Sequence, residues 1–352
     1  MKRILKVAAL AASMSAIGLA ASAETVLIAN DPGPNRGVRS VAVNYLSDEI
    51  AKRSGDTVKI QNNWGGALFK TTAALESLGT GVADLGVVVG AYAQSELPEL
   101  NIGALVMPQA GPWVMMKSLH ELFTTNETIK QRLADKNIVY INHYALPPAL
   151  VGCQGKGIAS AKDADGVKMS DTGGMSGLFK DLGGNMVRMP VYEVYQAMET
   201  GLIDCTVTYS YFAVATKLDE LLTSVTPMDF AAVTVVITVM NKDSFDSLSA
   251  EQQAAILETG EHMADYYGEA LAAADKSAMD KMTTRETPVV INAFSEEDYD
   301  AFREASKTVT GKWLADAEAT GLDGQATLDE FLGLQAKWKA VAETEGLPWE
   351  RN

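Results

Sequence analysis

Residues 197–204 read Ala197-Met198-Glu199-Thr200-Gly201-Leu202-Ile203-Asp204. A close copy stands 120 residues earlier, where a segment containing Ala74-Leu75-Glu76 leads into Thr80-Gly81-Val82-Ala83-Asp84. In both, residues with helical spacing precede the Thr-Gly pair and an apolar strand follows Asp. A glycine at a helix C-terminus tolerates the left-handed conformation that the cap requires. One such junction means little. Two copies in matching contexts predict two similar lobes.

Outward from these junctions the same alternation holds. In the first half, Thr25–Ala29 reads as a strand. A helix follows with Val38, Val41, Ala42, Tyr45, Leu46 and Ile50 on one face, closed by Gly55. Val58–Asn62 is a strand, about Lys70–Thr80 a helix, and Ala83–Val88 a buried strand. In the second half, Val167–Ser170 is a strand, Gly174–Leu182 a helix and Asn185–Met189 a strand. Val191, Val194, Tyr195 and Met198 mark a helical face, and Cys205–Ser210 is a strand. The pattern is that of an α/β layer fold with a largely parallel sheet. Val233–Met240 (VTVVITVM) is apolar throughout and predicts a buried strand. Ser249-x-x-Gln252 is a capping box opening a helix that reaches about Thr284, with Gly260 and Gly268 expected to bend or break it. A helix of that length is suited to brace two lobes. Val289–Asn292 reads as a strand, Ser295–Asp298 caps another helix, and a last helix covers about Leu328–Glu343. No low-complexity linker divides the halves, so crossing strands are expected to join them.

The chain has 352 residues, 29 basic and 45 acidic, with a formal charge of −16. Its 47% hydrophobic content excludes a disordered chain, and its acidity argues against a nucleic-acid partner, which needs a basic footprint. The first residues carry Lys2, Arg3 and Lys6, an apolar run from Val7 to about Ala20, and Ala21-Ser22-Ala23. This is the three-part pattern of a secretory signal peptide, with 1–23 removed and a periplasmic mature chain expected. Loss of the three basic residues takes the charge from −16 to −19. The acidic surplus of 286–352 is spread along amphipathic helices and reads as solvated surface. Cys153 and Cys205 permit one disulfide in an exported chain, two buried thiols being the alternative.

Catalytic constellations are missing from the sequence. There is no GxSxG, HExxH or P-loop, and Gly65-Gly66 and Gly173-Gly174 lack a nucleotide fingerprint. His120 and His262 fall on helices and His143 on a strand, too scattered for a zinc site or a catalytic base. No cofactor, no metal and no enzymatic activity are expected. An exported two-lobed α/β chain of this kind fits a ligand receptor that closes by a hinge.

Several segments resemble one family, the DctP-type periplasmic solute-binding proteins of tripartite ATP-independent periplasmic (TRAP) transporters. The most specific is Met189-Pro190-Val191-Tyr192-Glu193-Val194-Tyr195-Gln196-Ala197-Met198-Glu199-Thr200-Gly201-Leu202-Ile203-Asp204. Asp163–Met169, Met240-Asn241-Lys242 through Ser249–Ile256, and Leu75–Asp84 match further family segments in the same order. The resemblance implies a two-lobed periplasmic-binding-protein-like fold with a hinge of crossing strands and one long bridging helix. It implies lobes built from 24–147 plus about 232–275 and from 148–231 plus about 276–352. It implies a monomeric receptor in a Gram-negative periplasm, handing a small organic solute to a small and a large membrane subunit, with uptake driven by an ion gradient. A receptor serving a sensor or an ATP-driven importer is the alternative.

The resemblance also carries pocket positions, and there the chain departs from the family. Ser170 stands where the family clamps a carboxylate with Arg. Leu150 replaces a second basic residue, Thr208 an Asn, Cys205 a Gly, Val191 an aromatic and Phe230 a His. Tyr92 falls on a pocket position, and Asn30 keeps the usual type. Loss of a bidentate clamp costs about 1.5–3 kcal/mol per charged hydrogen bond, which disfavours a simple acid. Two ligand readings follow. In one, a neutral or cationic solute meets an aromatic wall of Tyr92, Tyr209, Tyr211, Phe212 and Phe230. In the other, Arg36, Lys70 or Arg188 holds an organic acid.

Overall fold

The computed structural model describes residues 24–107, 110–171, 175–228 and 235–351. The expected signal peptide, Gly173-Gly174 and Phe230 lie outside the described residues. In chain order the first half runs β1 (Thr25–Asn30), α1 (Val38–Arg53), β2 (Val58–Asn63), α2 (Ala74–Gly79), β3 (Leu85–Val89), α3 (Gly90–Ala93), α4 (Pro112–Thr125), α5 (Glu127–Asp135) and β4 (Ile138–Tyr144). The second half runs β5 (Ala149–Cys153), β6 (Lys168–Ser170), α6 (Met175–Asp181), β7 (Asn185–Met186), α7 (Val194–Glu199), β8 (Cys205–Thr208), α8 (Ser210–Ala215) and β9 (Ser224–Met228). The chain then gives β10 (Val236–Asn241), α9 (Lys242–Asp246), α10 (Ala250–Thr284), β11 (Val290–Ile291), α11 (Glu296–Ala319) and α12 (Gly324–Glu345).

The twin junctions are superposable in their hydrogen bonds. Thr80 and Thr200 turn their hydroxyls back onto Glu76 O (2.9 Å) and Gln196 O (2.8 Å). Gly81 and Gly201 follow at φ 75° and 71°. The next amides, of Val82 and Leu202, bond to Ser77 O and Ala197 O, each at 2.9 Å. The helix C-terminal carbonyls are thereby satisfied. Asp84 N then donates to Ile28 O and Asp204 N to Lys168 O, which seats β3 beside β1 and β8 beside β6.

Two sheets result. The first has the order β2-β1-β3-β10-β4 and the second β11-β9-β5-β8-β6-β7. Read from the β7 end, the second repeats the first: three parallel strands, then two antiparallel ones, with β11 added at the edge. Residues 145–148 carry the chain from β4 to β5, and β10, which follows β9 in sequence, lies back in the first sheet. The lobes are thus joined by two crossings between strands that are buried in both sheets. Cys153 and Cys205, direct partners across β5 and β8, are disulfide-bonded.

Helix α10 opens with the expected capping box: Ser249 N donates to Gln252 Oε1 (3.0 Å) and Gln252 N to Ser249 Oγ (3.3 Å). It runs unbroken for 35 residues. Gly260 and Gly268 do not break it, because their role is close packing. A Cβ at 260 would lie 2.3 Å from Ile141 O, and one at 268 would lie 2.8 Å from the Trp349 ring. The helix starts on the first lobe, where Tyr266 stacks on Tyr45 at 3.5 Å. It ends on the second, where Lys281 pairs with Asp219 at 2.6 Å. A second helix also bridges. Phe302 of α11 packs edge-on against Phe179 of α6 in the second lobe, and Trp313 Nε1 donates to Pro98 O in the first (2.9 Å).

Other expectations need correction. Asp323 accepts from Ala326 N (2.9 Å), so α12 starts at Gly324 and not near Leu328. It packs on α4 through Lys337 and Trp338, both bonded to Glu121. The C-terminal helix therefore sits with the first lobe, not with the second as the 276–352 boundary had it. Strand β7 is two residues long because the chain turns away toward Pro190. Strand β8 stops at Thr208 because Ser210 opens α8.

Candidate functional site

The strand ends at the joint between the lobes carry the polar residues. After β1 the chain reads Asn30-Asp31-Pro32-Gly33, and α1 begins five residues later. Asn30 is buried and used by the loop: its Nδ2 donates to Phe69 O (3.3 Å) and its Oδ1 accepts from Leu68 N (3.1 Å). Asp31 is buried and accepts from both terminal nitrogens of Arg39, with Nη2 to Oδ1 at 2.7 Å and a second, shorter bond from Nη1 to Oδ2. Gly33 N also donates to Asp31 Oδ1 (2.7 Å). The side chains of Arg39 and Asp31 are only 12% and 3% exposed, so this is a buried bidentate ion pair. Burial pulls the Arg39 pKa down, but Asp31 and then Tyr192 and Tyr211 outweigh it, and the guanidinium ends well above its ordinary value. Arg39 lies in the first turn of α1, where the helix dipole opposes a cation. The fold tolerates it there because Asp31 is in contact.

The second lobe faces this pair with rings. Tyr192 places its hydroxyl by Arg39, and burial outweighs the lowering effect of Arg39 to raise its pKa. Tyr92, in α3 of the first lobe, receives a hydrogen bond from Val191 N at 3.2 Å. Adjacent residues 191 and 192 thus touch the first lobe at two points. Behind them, Tyr209 lies 4.9 Å from Tyr211 and 5.1 Å from Phe212, and Phe212 lies 5.7 Å from Tyr192, centroid to centroid. Tyr211 and Tyr267 share a hydroxyl contact at 2.9 Å. Burial raises the pKa of Tyr209, Tyr211 and Tyr267, so all stay protonated as donors. Tyr144 packs edge-on against Tyr267 at 5.1 Å, and burial pushes its pKa up to about 12. The Tyr144 hydroxyl is met by Asn142 and Thr238, whereas Thr208 Oγ1 is buried without a hydrogen-bond partner among the described residues.

The expected site residues divide accordingly. Tyr92, Val191, Tyr209 and Phe212 come together at the joint. Thr208 and Leu150, cross-strand partners, lie at the ends of β8 and β5. Ser170 is buried at the end of β6, where its Oγ meets Thr206 Oγ1 at 3.0 Å. Arg36, Lys70 and Arg188 are exposed. Arg188 lines a cleft of about 570 Å³ between the lobes with Asp171, Lys180, Lys312, Trp313 and the same Tyr92 that meets Val191 at the joint. The cation at the joint is Arg39, and the sequence reading missed it together with Asp31. The signal was present. The buried stripe of α1 is Ala42, Val43, Leu46, Ser47 and Ile50, whereas Val41 is 52% exposed. The expected face was therefore turned too far toward Val41. On the observed face Arg39 lies three, four and seven residues before Ala42, Val43 and Leu46, a charged residue on a buried stripe.

Two α/β lobes joined by crossing strands, with polar groups held between them, are the architecture of a two-lobed binding protein. Residues 33–316 match the family model of bacterial extracellular solute-binding proteins, family 7 (DctP), and the chain belongs to that family. It is 31% identical over 249 residues to a solute-binding protein of Albidiferax ferrireducens, covering 69% of this chain and 71% of that one. It is 27% identical over 169 residues, 48% of each chain, to the ectoine-binding periplasmic protein TeaA of Halomonas elongata. A TRAP solute-binding protein from Rhodoferax ferrireducens, solved with copurified benzoate, has the same fold, with a TM-score of 0.81 at 20% identity over 90% of this chain and 99% of that one.

Proposed function

We propose that the protein is the periplasmic receptor of a TRAP-type secondary transporter, exported by its N-terminal signal peptide and acting as a monomer. It closes its lobes around a small organic solute and delivers it to the two membrane subunits. The solute is neutral overall or cationic. The observation that carries this reading is the buried Asp31–Arg39 pair at the joint, facing Tyr192, Tyr209, Tyr211 and Phe212. Arg39 is already neutralised by Asp31, and Ser170 offers no charge, so a simple carboxylate finds no unpaired buried cation among these residues. Aromatic faces favour neutral rings and cations. The ectoine-binding relative is consistent with a solute of no net charge. Native mass spectrometry of the protein purified from its own periplasm, followed by small-angle scattering with and without the identified solute, tests the reading. A copurified solute that compacts the protein is expected. Absence of any bound solute, or a simple dicarboxylate that binds tightly, refutes it.

A further inference from the structure

We propose that the Asp31–Arg39 pair is the solute anchor, and that it selects a zwitterion by exchanging partners: the solute's carboxylate takes Arg39 and its cationic group takes Asp31. This deepens the receptor reading above and rests on it. The starting point is a pair with no evident use in stability. A buried ion pair is often matched or bettered by apolar residues of similar size. This one also sets a cation against the N-terminus of α1. It stands at the joint, in contact with the second lobe's Tyr192, whose hydroxyl also approaches Gly33. Arg39 has five N–H donors, of which Asp31 holds two.

Charge accounting then decides the solute class. An acid that binds Arg39 alone strands the buried carboxylate of Asp31. An amine that binds Asp31 alone strands the buried guanidinium. Either outcome leaves one uncompensated buried charge, which lowers affinity by at least about a hundredfold. A molecule carrying both charges a few bonds apart replaces one internal pair by two crossed pairs and strands nothing. The tyrosine rings around the pair then meet the solute's cationic end.

Calorimetry on the mature protein tests this with matched probes: pipecolate and ectoine as zwitterions, cyclohexanecarboxylate as the acid, and piperidine as the amine. The expected result is a zwitterion bound at least a hundredfold more tightly than either singly charged probe. Arg39→Gln loses at least a hundredfold in that affinity. The double variant Asp31→Asn/Arg39→Gln keeps no lone buried charge, so it folds with a wild-type circular dichroism spectrum and still loses the zwitterion. Equal binding of a singly charged probe, or unchanged zwitterion binding by the double variant, overturns the proposal. So does a wild type that binds neither zwitterion. The receptor reading itself falls on different results: no copurified solute that compacts the protein, or tight binding of a simple dicarboxylate.

Discussion

Gly33→Ala perturbs the joint without altering a charge or a hydrogen-bonding group. Gly33 has no positive φ, so the backbone accepts alanine. The added methyl, however, would lie 2.1 Å from Arg39 Nη2 and 2.8 Å from Tyr192 Oη, both inside the 3.0 Å that real Cβ atoms keep. Arg39 must retreat by about 1 Å, and because its other nitrogen is tied to Asp31, the move breaks the bidentate geometry. One charge-assisted hydrogen bond is then lost, about 1.5–3 kcal/mol. If the pair anchors the solute, affinity falls roughly 10- to 150-fold. The assay is calorimetry with the copurified solute, beside a thermal melt that monitors folding. A variant that melts like the wild type but binds 10- to 150-fold more weakly is the expected outcome. A variant that binds with wild-type affinity refutes the placement of the solute at Arg39.

Three further predictions concern stability. The Cys153–Cys205 bond closes a separation of 52 residues, so replacing both by Ser, or reducing them, costs up to about 4 kcal/mol of unfolding free energy, read by denaturant titration with and without reductant. His120 is held at about 4 by burial, and burial also lowers His143 well below the ordinary histidine value. Both favour the neutral form in the folded state, so their contribution is full above about pH 6.5 and is lost progressively as pH falls below it, for His120 down to about 4; melts from pH 7 to 4 should decline, and Tyr140→Phe/His120→Phe/His143→Phe should flatten the decline. Glu99 is fully buried and paired with Arg132 at 2.6 Å, so Arg132→Met strands its charge at about 3–5 kcal/mol, and adding Glu99→Leu recovers much of that loss in the same melt.

The fold was legible because its signals are local. The Thr-Gly junctions, the two Ser-led capping boxes and the apolar runs at 85–89 and 236–241 each depend on a few adjacent residues. What escaped depends on distant contacts. Gly260 reads as a helix breaker until Ile141 O is found against it. The C-terminal helix reads as an appendage of the second lobe until Glu121 is found holding Lys337 and Trp338. In the candidate site, Tyr92 was expected from the family resemblance and Tyr209 and Phe212 as an aromatic wall, and the structure brings the three to the joint. Asp31 and Arg39 were not expected, because a small rotation of the α1 face hides a buried arginine among exposed ones.

The repeated topology gives an independent reason to place the site at the joint. With the sheets aligned, the end of β1 matches the end of β6, so Asn30-Asp31 corresponds to Ser170-Asp171. The end of β3 matches that of β8, so Tyr92 in α3 corresponds to Phe212 in α8. In open α/β sheets, ligands gather outside the carboxyl ends of parallel strands. Each lobe here presents an acid and a ring at those ends. The lobes then diverge in how they treat the acid. Asp171 Oδ2 accepts from the backbone of Ser176 at 2.7 Å and serves the start of α6. Asp31 is held by a guanidinium on the largely buried face of α1. The topologically equivalent acid bonds to the start of α6 in one lobe and is charged against Arg39 in the other. That asymmetry is what a two-lobed receptor needs to bind an asymmetric solute in one orientation.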